Sequence, residues 1–185
     1  MTPTPAAPPL LTADEFADRF SSDPLVELID GVVERLPMPG SPHGYVALNA
    51  GGLVRQHVRA SGLGRVFGCD TFVRTGTAPD RVRGADVSAQ SYARLPKGEP
   101  LPKVLDRPER VMEVVSPSDR PGRPADKIRE YLAAGVVVVV VLDPTAESAA
   151  VYRPDERPQT RHNGDDLALP DVLPGFAVPV AAFFE

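Results

Sequence analysis

The 185-residue chain has one cysteine, Cys69, no tryptophan and three histidines, His43, His57 and His162. A lone cysteine excludes an intrachain disulfide and a thiolate zinc cluster, and histidines so widely spread argue against a histidine-rich zinc centre. A reducing compartment, the cytoplasm, is the expected location. Neither G-x-x-x-x-G-K-[ST] nor G-x-G-x-x-G occurs, which removes support for nucleotide-cofactor chemistry. Ser116 and Ser118 lack the G-x-S-x-G setting of a nucleophile elbow and read as turn or N-cap residues. No basic stretch followed by an apolar one opens the chain, so no signal peptide is expected. The longest apolar run, Val136 to Leu142, is too short to span a bilayer and reads as a buried strand. Positive charge is also scarce. Twenty Lys and Arg against 25 Asp and Glu give a net charge of -5, which counts against general coating of nucleic acid but leaves room for a local basic groove.

What the chain does contain is an ordinary soluble balance, 42% hydrophobic and 24% charged residues, enough for one core. Its 22 prolines crowd into the N-terminal "TPTPAAPP", a central "LPKGEPLPKVLDRP" and the tail from Arg153 onward. These predict a flexible start over residues 1–10, a long surface loop and an irregular C-terminal wrap around a single domain spanning 11–185. "TADEF" matches a capping box, with Thr12 as N-cap and Glu15 three residues on, opening a helix to about Phe20. "VELIDGVVERL" gives two β-prone runs joined by Asp30-Gly31, a hairpin signal. Val46, Ala50, Leu53, Val54 and Val58 predict a helix over 43–60. Strands follow at "GRVFG", "TFVRTG" and "VRGADVSA", then the strand Val111 to Val115, a helix over 125–134 stopped by Gly135, the valine strand, and "SAAVYRP". Strand, helix and valine strand make a parallel crossover unit after antiparallel hairpins. The fold class is therefore α/β of the mixed, α+β kind: a central mixed sheet with helices on both sides.

Glu113 stands in the middle of an apolar strand, where a buried carboxylate needs a partner, a proton or a metal. Side-chain alternation puts it on one face with Val111 and Val115. It lies near the end of the strand, where ligands usually bind in open parallel sheets. Asp86 sits inside another apolar-flanked strand. Two carboxylates from separate strands suit a hard divalent cation such as Mg²⁺, and Lys127 on the next helix can present a positive charge to a phosphate. The competing reading makes Asp86 a turn residue and pairs Glu113 with Arg129 or Arg110. For the mixed run of Arg120, Arg123, Lys127 and Arg129 against Asp119 and Asp126, the competing reading is a solvated face. His43 reads first as a helix-terminal residue bonded to backbone, Tyr131 as a core aromatic and Cys69 as an inert buried thiol.

The segments "VELIDGVVERLP", "SPHG", "VRGADVS", "VMEVVSPSDR", "DKIREYLAAGV" and "VVLDP", closed by "LPGFAVPVAAFF", resemble in order those of the Uma2-like family. That family groups endonucleases of the restriction-endonuclease-like, PD-(D/E)XK superfamily, and the resemblance runs from about Leu11 to the C-terminus. It implies a restriction-endonuclease-like core and Mg²⁺- or Mn²⁺-dependent hydrolysis of DNA. It sets Asp86 at the aspartate of "PD" and Glu113 at the (D/E), with the Val114 carbonyl as a further metal ligand. Val115 occupies the K position, so the resemblance hands that role to Lys127. Glu27 matches an acidic residue that holds a second metal or orients the lysine. No membrane partner is implied, and a homodimer fits the habit of nucleases that cut both strands. Two departures stand out: Ala85 replaces the proline of "PD", and the aromatic-rich segment before "DP" is all valine and leucine. The rival reading from another class is a catalytically inactive binding or scaffold protein on the same fold.

Overall fold

The computed structural model describes residues 9–23, 25–116 and 122–185. Of the start expected to be flexible, residues 1–8 lie outside that range, as do Ser118, Asp119 and Arg120. From Leu11 the chain is tied down, its N–H donating to the Gly31 carbonyl at 2.8 Å. Helix α1 (Ala13–Phe20) opens on the expected capping box: Thr12 Oγ1 accepts from Glu15 N–H and Thr12 N–H donates to the Glu15 carboxylate. It buries Phe16 and Ala17 against Val26 and Leu28 of β1 (Val26–Ile29). Strand β2 (Val32–Arg35) returns through Asp30 and Gly31, both at positive φ (50° and 77°), as a tight hairpin turn requires.

Helix α2 (Ser41–Ser61) starts two residues before its predicted bound, because Pro42 fits a first helical turn, and it ends on left-handed Gly62. Its Val46, Ala50, Val54 and Val58 form one buried stripe. "GRVFG" and "TFVRTG" are not two strands but one, β3 (Gly64–Gly76), paired antiparallel to β4 (Arg81–Ser91). The register runs Gly68 to Val87 and resumes at Thr71 to Ala85, so Cys69 and Asp70 together oppose Asp86. Both bulged residues are left-handed, with φ of 60° and 55°. The bulge turns Cys69 outward, which corrects the expected buried thiol.

The main sheet runs β2-β1-β4-β6-β7-β8-β9, where β6 is Arg110–Val114, β7 Val138–Asp143, β8 Ser148–Tyr152 and β9 Gln159–His162. Strand β3 flanks β4 and also pairs with β5 (Leu105–Asp106), a short strand inside the proline-rich loop. Strands β6 and β7 are parallel, joined through α3 (Arg123–Ala133) as the crossover predicts. The tail is more regular than its prolines imply. Beyond β9 it forms a ribbon of β10 (Asp166–Ala168) and β11 (Ala177–Pro179) and a closing 3-10 turn, and buries Leu167, Leu169, Leu173, Phe176 and Phe183 in the layer that holds α2. Sparse apolar residues and a proline at the end of β11 hide such short pairings from periodicity.

Met112 packs with α2 and Val111 with α3, and Leu28 faces α1 while neighbouring Glu27 meets α3. Helices α1 and α2 therefore cover one face and α3 the other. Along β4 the alternation breaks. Arg83 reaches Glu130 of α3, yet Val87 packs on α2, although residues an even number apart share a face in a regular strand. The reversal falls across Asp86, opposite the bulge. No helix among the described residues is long and apolar enough to cross a membrane.

Close backbone approach sets one sharp requirement. A Cβ on Gly64 would lie 2.2 Å from the Gln90 carbonyl oxygen and 2.8 Å from Ser91 Cα. Gly64→Ala is expected to destabilise the protein by about 3 kcal/mol, or to prevent folding, because the facing backbone of β4 must move. Denaturant unfolding checks this, and a loss within about 0.5 kcal/mol would contradict the packing.

Candidate active site

Helix α3 presents Arg123, Lys127 and Tyr131 at i, i+4 and i+8, on one face over the sheet. Below them lies Glu113 of β6. Lys127 Nζ donates to Glu113 Oε2 at 2.5 Å and to the Gly84 carbonyl at 2.9 Å, and the Tyr131 hydroxyl donates to Glu113 Oε1 at 2.9 Å. Glu113 pairs with neither Arg129, which bonds Asp126, nor Arg110, which bonds the Val172 carbonyl. Tyr131 is fully buried, so it is both the core aromatic expected and a hydrogen-bond donor to the carboxylate.

Glu27 of β1 is fully buried and gathers cations. Its Oε2 accepts from Arg83 at 2.7 Å and from Arg123, its Oε1 accepts from Gly84 N–H at 3.2 Å, and Lys127 Nζ stands 3.5 Å away. Arg83 is held on its other side by both oxygens of Glu130. The ionic chain thus runs from Glu130 through Arg83 and Glu27 to Lys127 and Glu113, crossing β4 and β6 beneath α3.

Asp86 completes the cleft. It is buried in β4 rather than placed in a turn, and its Oδ2 accepts from Val114 N–H at 2.7 Å. The same oxygen lies 3.2 Å from His43 Nε2, at the first turn of α2. His43 therefore meets a carboxylate and not the backbone partner expected of a helix-terminal histidine. Asp70, on the bulge, lines the same cleft with His43, Asp86, Glu113, Ser116, Arg123 and Lys127. Ser116 belongs to this lining; the N-cap of α3 is Gly122.

Burial pushes the Glu113 carboxyl up to about 8, aided by Asp86 and opposed by Lys127. Burial alone would lower the Lys127 ammonium, but Glu113, Glu27 and Asp86 raise it above the ordinary lysine value. The lysine keeps its proton. Glu27 is held below the usual carboxylate range: burial works against this, but Lys127, Arg83 and Arg123 outweigh it. The hydrogen bond to Asp86 raises His43 against the opposing effect of burial, and burial together with Asp86 raises Asp70.

Stability should record the Glu113 shift. Its carboxyl titrates near 8 in the folded protein against 4.5 ordinarily, so the folded state holds the extra proton between those values. Its contribution is full below pH 4.5, declines as pH rises toward 8 and is flat above. Unfolding of the metal-free protein and of Glu113→Gln, compared from about pH 5 to about pH 9, should show wild-type stability falling relative to the variant as pH rises. A constant difference would mean that Glu113 is not shifted.

Five carboxylates (Glu27, Asp70, Asp86, Glu113 and Glu130) face three permanent cations (Arg83, Arg123 and Lys127). With every carboxylate ionised the cluster carries two excess negative charges before His43 is counted, but below about pH 8 Glu113 holds a proton and leaves one. Among the described residues no three His, Cys, Asp or Glu side chains stand together as a ready-made metal cage. Three carboxylates, Asp70, Asp86 and Glu113, line the cleft beside Val114.

The model of the Uma2 family, described as "Putative restriction endonuclease", matches residues 13–181. The chain belongs to the Uma2 family. A solved structure similar to this Uma2 chain is that of "a putative nuclease belonging to DUF820" from Anabaena variabilis, with a TM-score of 0.81 at 21% identity over 94% of this chain and 97% of the other. At that identity the likeness establishes the fold, a mixed sheet with flanking helices. No curated protein matches the chain.

Within this Uma2 fold, Asp86, Glu113 and Lys127 line one cleft and Glu27 lies buried against Lys127, although the four come from four elements. The sequence alone does not single out Asp70, Arg83 or Arg123 as site residues. For Arg123 a signal is present in its helical spacing with Lys127 and Tyr131. For Asp70 it is faint: "GCD" between two β-prone runs marks a bulge, but not what the bulge faces.

Proposed function

We propose that this Uma2 protein is a divalent-metal-dependent endonuclease that hydrolyses DNA phosphodiester bonds. The observation that carries the reading is the convergence of Asp86, Glu113 and Lys127 in one cleft. The carboxylates of Asp86 and Glu113 and the Val114 carbonyl suit Mg²⁺ or Mn²⁺, which keep several waters when bound and would displace the proton that Glu113 holds in the metal-free protein. When bound, the ion supplies Lewis acidity and a water of lowered pKa.

The chain's own groups do the rest. Lys127 remains an ammonium, so its role is to stabilise the negative charge that develops on the phosphoryl group; it does not remove a proton. It takes the place of the lysine that the superfamily pattern puts at Val115. Val115 instead packs in the apolar layer with Val111 and Val141. Glu27, already paired with three cations and buried outside the lining of the cleft, orients Lys127 rather than holding a second metal. His43 and the Val114 N–H fix the rotamer of Asp86. A homodimer in the cytoplasm belongs to the same reading.

The test is cleavage of single- and double-stranded DNA with Mg²⁺ and with Mn²⁺, alongside calorimetric Mn²⁺ titration of wild type and Asp86→Ala. Cleavage that stops on chelation, with Mn²⁺ binding lost in the variant, is expected. If no substrate is cut and millimolar Mn²⁺ does not bind, the protein is instead a non-catalytic binding protein on a nuclease fold.

A further inference from the structure

We propose that Arg123 grips a phosphate of the DNA substrate. This rests on the nuclease reading and adds to it the group that holds the substrate rather than the metal. A phosphodiester entering the cleft meets excess negative charge, and the whole chain is acidic at -5, so a local cation must offset the repulsion. Among the described residues, the permanent cations lining the cleft are Arg123 and Lys127. Lys127 is committed to Glu113 and the Gly84 carbonyl.

Arg123 is held more loosely. Among the described residues it makes one hydrogen bond, to Glu27, and a 3.6 Å ion pair with the exposed carboxylate of Glu34. A guanidinium carries five N–H donors in a planar fork that matches two phosphate oxygens, and the described residues leave most of them for an incoming anion. The plainer account makes Arg123 a mere counterion of Glu27. Yet Glu27 also accepts from Arg83 and Gly84 N–H and has Lys127 close by, so its charge stays compensated when Arg123 turns toward substrate. The pairing with Glu27 fixes the start of the side chain's reach, one helical turn before Lys127.

The test is equilibrium binding of a fluorescein-labelled duplex DNA, with Ca²⁺ as the cation, over a series of KCl concentrations. Wild type is compared with Arg123→Ala and, as a control for general charge, with Arg129→Ala, whose side chain is exposed beside Asp126. Arg123→Ala is expected to weaken binding about tenfold at low salt and to reduce the slope of log affinity against log salt by about 0.9. Arg129→Ala should change the slope much less, and Mn²⁺ titration of Arg123→Ala should match wild type. If the alanine variant does not fold, Arg123→Gln makes the same comparison, since it keeps a donor for Glu27 and removes the charge. Wild-type affinity and slope in the folded Arg123 variant would overturn the proposal. So would joint loss of DNA and Mn²⁺ binding, because Arg123 would then act through the metal site. Cleavage that depends on Glu113 alongside unchanged DNA binding in the Arg123 variants sinks this assignment alone. A wild-type protein that neither cuts DNA nor binds Mn²⁺ sinks the nuclease reading with it.

Discussion

Lys127→Met is expected to lower DNA cleavage by about 10²–10³ while leaving Mn²⁺ binding within about tenfold of wild type. Methionine keeps the length and apolar stem of lysine and removes only the charge beside the scissile group. The separation of effects is the informative part. Glu113→Ala should lose both cleavage and metal, because it removes a proposed ligand, whereas Lys127→Met should lose only rate. The cost in stability should be modest for so buried a pair, since the Glu113 carboxyl already holds a proton below about pH 8. The pH profile adds a second check. If the ammonium acts by charge, wild-type cleavage should not rise as lysine begins to deprotonate at alkaline pH, because the surrounding carboxylates hold its proton. A rate that climbs with such deprotonation would make Lys127 a general base and refute its role as a fixed charge.

That lysine also shows how much of the site the sequence carries. Glu113 is conspicuous because a carboxylate inside an apolar strand requires an explanation, and the chain nearby offers Lys127 one strand-to-helix connection later. The crossover unit from β6 through α3 to β7 then fixes their meeting. Such a unit is local in sequence, its handedness is constrained, and both strands are apolar enough to read unambiguously. The Asp-Gly hairpin and the capping box of α1 are legible for the same reason: each rests on a few adjacent residues.

What escapes is non-local. Asp70 reaches the cleft because β3 carries an extra residue opposite Asp86, and a bulge depends on the partner strand as much as on its own sequence. Periodicity therefore breaks "GRVFG" and "TFVRTG" into two strands where the chain makes one. Arg83 reads as an ordinary arginine in a strand, and its burial between Glu27 and Glu130 emerges only once β1, β4 and α3 are stacked. The contact between His43 and Asp86 joins the start of α2 to the middle of β4, a separation no local pattern spans. The C-terminal wrap hides its order for a different reason: strands of three or four residues among prolines are too short to show a period.

The ionic chain beneath α3 leads to the largest expected change in stability. Glu27→Gln should destabilise the protein by about 3 kcal/mol at neutral pH, because a fully buried carboxylate that balances Arg83, Arg123 and Lys127 becomes neutral among them. The pH dependence has a definite sign. The folded-state pKa of Glu27 lies below the ordinary 4.5, so its stabilisation is complete above that value and is lost as pH falls through the depressed one. The gap between wild type and Glu27→Gln should therefore be full at pH 7 and close in acid. Cleavage should fall too, by about 10²-fold, because Lys127 and Arg123 lose the anchor they share. Adding Arg83→Met to Glu27→Gln removes one unbalanced cation, but it also strips Glu130 of its partner. The double variant should consequently recover little stability and no activity. Urea unfolding of the single and double variants at pH 7 and over a descending series of acid pH values measures both effects. An unchanged midpoint for Glu27→Gln would show that Glu27 does not balance these cations, and Lys127 would then need another explanation for its position.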